Sequence, residues 1–141
     1  MSNLVDLEQI APKPIWDGIA ARIVQGERIS LAVVELEPDA LVPEHRHPNE
    51  QLGIVLEGSV TFRIDEEARH LRPGGTWRIS GGVPHEVRAG ALGAVVIDVF
   101  TPVRSDWEAV EPDPARPLRW PPGTCSSRDD SNAGLKERGV P

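Results

Sequence analysis

The chain carries one cysteine, Cys125, in 141 residues, so no intramolecular disulfide framework is open to it. Nor does it begin like a secretory leader: Met1-Ser2-Asn3-Leu4-Val5-Asp6 has neither a basic start nor an apolar core. No run approaches the roughly 20 apolar residues that span a bilayer. Basic charge is scarce. Fifteen Lys and Arg against 22 Asp and Glu leave a net charge of −7, which argues against nucleic acid or an anionic membrane as main partner. Lysine occurs only as Lys13 and Lys136, which we read as coding bias. Helical periodicity and internal repeats are missing as well. What remains is the expectation of a soluble, cytoplasmic chain of one domain, long enough to bury a core.

Present instead is a succession of short β-branched segments: 19–24, 29–36, 51–57, 60–64, 68–72, 76–79, 85–88 and 94–100. Alternation is cleanest where Val60, Phe62 and Ile64 oppose Thr61 and Arg63. Glu57-Gly58-Ser59 reads as a tight connection between two strands. Strands of four to eight residues with turn signals every ~8–12 residues predict an all-β barrel or double-sheet jelly roll. The expected organisation is an N-terminal arm over 1–18 that packs Trp16 on the barrel, the barrel over 19–110, a proline-rich extension over 111–125, and a tail over 126–141 too polar to order.

The chain is organised around Pro43-Glu44-His45-Arg46-His47-Pro48-Asn49-Glu50-Gln51. Residues i and i+2 of a strand share a face, so His45 and His47 can aim at one point, and Gln51 shares that face in an unbroken strand. A third imidazole follows in Gly81-Gly82-Val83-Pro84-His85. Three imidazoles and one side-chain oxygen suit a divalent ion such as Zn, Ni, Fe, Co or Mn. Glu50 is the rival to Gln51, although alternation turns it to the other face. His70 reads as an exposed strand residue.

These two stretches resemble the cupin superfamily. His45-Arg46-His47, then Glu50-Gln51, then Gly58 follow its first motif, and 80–85 follows the second. Asp39, Ser80 and Ala89 depart from the usual glycine, proline and asparagine, at turns more than at ligands. The resemblance implies a double-stranded β-helix, often a homodimer, with a metal on His45, His47, Gln51 and His85. Gln51 stands where most members have glutamate. A neutral amide leaves the full +2 on the ion, which favours an anionic substrate and disfavours a trivalent redox state.

A second constellation closes the barrel: Asp98, Phe100 and Arg104 within 98–107. Asp98 interrupts an apolar strand, and a buried carboxylate is costly unless paired or used. It either faces solvent, pairs with Arg104, or points into the cavity as an acid/base beside a Phe100 wall, with Arg104 gripping a substrate carboxylate. From Trp16 to Trp107 the chain looks like the pectin-degradation cupins that convert unsaturated monouronates to linear keto sugars. It is similar to cupin-type aromatic polyketide cyclases too. The resemblance implies an enzyme of the lyase or isomerase kind, with no organic cofactor and a small, anionic substrate. Its metal would stabilise an enolate while Asp98 moves a proton. A dioxygenase and a non-catalytic small-ligand binder are the other readings.

Overall fold

Gly58 and Gly93 shape the molecule. In the computed structural model, which describes residues 2–123, both have a positive φ, 76° and 78°. A Cβ on Gly58 would stand 2.1 Å from the Gly93 carbonyl oxygen, so two backbones meet there with no room for a side chain. The two chains that meet are the longest strands. Eight strands form: β1 (Lys13–Trp16), β2 (Ile19–Gln25), β3 (Ser30–Leu36), β4 (Leu41–His45), β5 (Glu50–Ile64), β6 (Glu67–Leu71), β7 (Thr76–Ile79) and β8 (His85–Thr101). β5 and β8 pair antiparallel along their whole length, from Glu50 opposite Thr101 to Ile64 opposite His85, with bulges near Glu57 and Gly58.

The expected connection at Glu57-Gly58-Ser59 is therefore not a turn. Gly58 creases one continuous strand, and β8 creases with it, joining two segments that read separately in sequence. Beyond the crease each half finds different neighbours. The first half of β5 pairs with β7, and the second half of β8 with β3, which continues to β2 and β1. The other halves pair with β6 and β4. The sheet folds over on itself, and the inward faces of both halves close on a core that includes Val55, Val60, Phe62, Ile79 and Val96. This is the jelly-roll architecture expected from the pattern. No helix among the described residues is long and apolar enough to cross a membrane.

The end of the N-terminal arm joins the sheet as β1, and Trp16 lies against the His45 ring at 5.4 Å between centroids. The proline-rich extension is pinned to the barrel by polar contacts. Arg22, 1% exposed, donates to the carbonyls of Ile10 (2.7 Å) and Arg116 (2.9 Å) and lies 3.9 Å from Glu35. The Glu35 carboxylate also accepts from the Arg119 backbone N–H, and the Asp113 N–H donates to Pro12. Burial lowers the Arg22 pKa, partly offset by Glu35. Removing this cation leaves the buried Glu35 carboxylate with Arg116 at 3.5 Å as its remaining cation and takes the donor from two carbonyls. Arg22→Ala is expected to cost about 3 kcal/mol or more, a fall in Tm of roughly 10 °C by calorimetry. An unchanged Tm would mean that the Arg22 contacts contribute nothing to stability. The tail expected to be disordered, 126–141, lies outside the described residues.

Candidate metal centre

β4 delivers His45 opposite His85, the first residue of β8, so two of the imidazoles meet across neighbouring strands. His47 lies past the end of β4, in a loop held against the one before β8. The Gly82 N–H donates to the His47 carbonyl at 2.8 Å, and a Cβ on Gly81 would stand 2.4 Å from the Pro48 oxygen. Asn49, which sequence reasoning passed over, is buried and donates to the carbonyls of Pro102 (2.6 Å) and Val103 (3.2 Å). It ties the histidine loop to the segment that carries Arg104.

One nitrogen from each of His45, His47 and His85 lies within 4.8 Å of the others. All three rings are oriented alike. Nδ1 of His45 faces the Pro43 carbonyl (2.9 Å), that of His47 the Asn49 carbonyl (3.1 Å), and that of His85 the Val83 carbonyl (2.8 Å). A carbonyl only accepts, so each Nδ1 carries a hydrogen, and in the neutral ring each Nε2 is left with its lone pair. Burial lowers the pKa of His85 to about 4 and, with the nearby Arg104 charge, lowers that of His47. Neutral imidazoles are what a metal requires.

Gln51 is buried and Glu50 exposed, as the alternation predicts. The Gln51 amide N–H donates to Asp98 Oδ1 at 2.8 Å, which turns its Oε1 toward His47 Nε2 at 3.1 Å. Both of those atoms are acceptors, and two facing acceptors repel unless a cation lies near both. His85 Nε2 is buried without a partner among the described residues. An orphaned nitrogen and an opposed acceptor pair on one cluster fit a divalent ion on these side chains. His70 is exposed on β6, bonded to Thr61, as expected.

Asp98 faces the cavity. Its pKa is raised to about 6 by burial, against the opposing pull of its two hydrogen bonds and Arg104. The second donor is Trp77 Nε1, 2.7 Å from Oδ1. Sequence reasoning placed Trp77 only on a strand; nothing local reveals the contact, because β7 and β8 meet only through β5. The ion pair between Asp98 and Arg104, one of the sequence-based alternatives, does not form. Arg104 instead makes a bidentate pair with Asp106, at 3.0 and 2.9 Å, and lies over the rings of Trp107 (4.0 Å) and Phe100 (4.8 Å). Phe100, buried opposite Gln51, presents its ring edge-on to His47.

Most of these groups, though neither His47 nor Asp106, line one cavity of about 60 Å³. His45, Gln51, His85, Asp98 and Arg104 form its polar end, and aliphatic residues such as Val34, Leu36 and Val60 line the rest.

Comparison with known proteins agrees with this architecture. Residues 32–100 match the family described as Cupin domain. The pectin degradation protein KdgF of Dickeya dadantii is 29% identical over 95 residues, 66% of this chain and 86% of that protein. Among solved structures, KdgF from Halomonas sp. superposes with a TM-score of 0.69 at 23% identity, over 75% of this chain and 98% of that one. The polyketide cyclase RemF from Streptomyces resistomycificus gives 0.64 at 22% identity, over 72% and 80%. At those identities the superpositions establish the fold.

Proposed function

We propose that this chain, a member of the cupin family, is a divalent-metal enzyme that promotes ring opening and tautomerisation of an unsaturated uronate. The observation that carries the reading is the Gln51–Asp98 hydrogen bond, which couples the candidate ligand set to a half-buried carboxylate that can move a proton. His45, His47, Gln51 and His85 would hold the ion, which supplies a Lewis acid for a substrate oxygen. Asp98, with its pKa raised to about 6, has the affinity to take a proton from a substrate oxygen and return it to carbon near neutral pH. Asp106 occupies the Nε–Nη2 edge of Arg104, so the other edge of the guanidinium is the one open to a substrate carboxylate.

Pectin degradation in the name of the Dickeya relative, and a polar lining of His45, Gln51, His85, Asp98 and Arg104, favour a single sugar acid. The aliphatic walls favour a second reading, cyclisation of a small, poorly hydroxylated carbonyl compound. The test is direct. Metal-loaded protein is mixed with unsaturated monouronate, and loss of the ultraviolet absorbance of the conjugated C=C–carboxylate is followed. No turnover here, with turnover of an apolar enolisable ketone, would reverse the ranking. Within the first reading, Arg104→Met keeps the packed stem and loses the grip. It is expected to raise KM ~10–100-fold with kcat little changed, the worth of a charge-assisted bidentate pair. An equal loss in kcat would show that Arg104 acts on the transition state instead.

A further inference from the structure

Three residues stand in one line across three strands: Asp98 on β8 opposite Gly53 on β5, and Gly53 opposite Trp77 on β7. Residues so aligned direct their side chains to the same face. From β7, a side chain reaches β8 only by crossing two strand spacings of about 4.8 Å each. The middle residue would ordinarily block that path. Here it is glycine, and a Cβ on Gly53 would fall 2.2 Å from Cε2 and Nε1 of Trp77. Gly53 has no positive φ, so the strand backbone does not need a glycine at this point. The space above it does. The indole lies in that notch, braced by Phe62 at 4.7 Å between centroids, and its N–H meets Asp98 Oδ1 at 2.7 Å.

Both donors to Asp98, the Trp77 indole and the Gln51 amide, use the same oxygen, Oδ1. Oδ2 accepts no hydrogen bond among the described residues, while Asp98 lines the cavity. A carboxylate held through one oxygen by two donors cannot swing, and its other oxygen keeps a fixed direction. We propose that Trp77, laid across Gly53, is the positioning residue for Asp98, and that Asp98 Oδ2 alone carries the proton. Oδ2 takes the proton as the substrate O–H bond breaks and gives it up as the C–H bond forms, so Asp98 ends as it began. The inference rests on the reading of Asp98 as proton carrier.

Trp77→Phe keeps a ring beside Phe62 and removes the donor, together with the part of the indole that fills the notch over Gly53. The expected result is a ~10–100-fold fall in kcat, with KM and metal content close to wild type and Tm lowered by about a few degrees for the lost ring volume. A second measurement needs no substrate. In full-length protein labelled with ¹⁵N-tryptophan, one of four indole N–H resonances should lie downfield, vanish in Trp77→Phe, and move upfield in Asp98→Asn. Unchanged kcat in Trp77→Phe, where Asp98→Asn is inactive, would overturn this inference and leave the proposed function standing. An indole resonance indifferent to Asp98→Asn would overturn it as well. If Asp98→Asn leaves turnover intact while the resonance still moves, the proton-carrier reading falls, and the Trp77 contact is then only structural.

Discussion

Saturating divalent metal is expected to raise the melting temperature of this chain by about 10 °C. A ligand that binds only the folded form at about 1,000 times its Kd contributes roughly 4 kcal/mol, and one kcal/mol moves Tm by about 2–4 °C in a chain of this length. Such a gain is expected because the rings need no reorganisation. Each Nδ1 is already committed to a backbone carbonyl, and His85 Nε2 is buried without a partner among the described residues. His85→Ala should abolish the shift, with metal content falling to background by elemental analysis. His70→Ala should leave both untouched, since that ring is exposed on β6. Titrating chelated protein with Zn, Ni, Co and Mn in a calorimeter would also rank the ions, which the donor set alone does not. No shift with any of them would remove the metal from the proposed function.

Turnover in Asp98→Asn is expected to fall ~10²–10⁴-fold while metal content stays at the wild-type level. Asparagine is the informative replacement for a geometric reason. Its carbonyl oxygen can accept from both Trp77 and Gln51 as Asp98 Oδ1 does, so Gln51 stays aimed at the histidines. Only the second oxygen changes, to an amide that takes no proton near neutral pH. Alanine would release the Gln51 amide to rotate and confound metal loss with catalytic loss. Wild-type turnover in Asp98→Asn would take Asp98 out of the mechanism.

The residues that gather at the centre were legible because local rules govern them. His45 follows from the strand that carries it and Gln51 over Glu50 from alternation within β5, whereas His47, expected on an unbroken strand, reaches the centre from the loop between β4 and β5. The same period puts Asp98 and Phe100 on one face, but it left open whether Asp98 would meet solvent, Arg104 or the cavity. What escaped depends on register between strands distant in sequence. Glu57-Gly58-Ser59 carries the composition of a turn, and glycine marks a crease as readily as a reversal. Only the pairing of β5 with β8 distinguishes them. Arg22 sits in an apolar strand whose outward face would ordinarily be wet; the extension, some 90 residues later, makes it a buried anchor. Trp77 and Gly53 are the same case inside the site. No window along the chain contains Trp77, Gly53 and Asp98 together.

The crease at Gly58 and Gly93 also decides where this chain can change length. β8 carries His85 on one side of it and Asp98 on the other, and β5 carries Gln51 on one side and Phe62 on the other. The distance between imidazole and carboxylate is thus set by strand rise and by one fold in the sheet, as two marks on a creased strip are fixed by where the crease falls. A residue added in the Asp65-Glu66 turn lengthens a loop and moves neither mark. A residue added at the crease slides half of each long strand by one place and turns its inward side chains outward. Divergence in length therefore has free passage at the strand ends and none at these two glycines. A change of substrate in this scaffold would come through the rim, with the spacing between the histidines and Asp98 inherited intact.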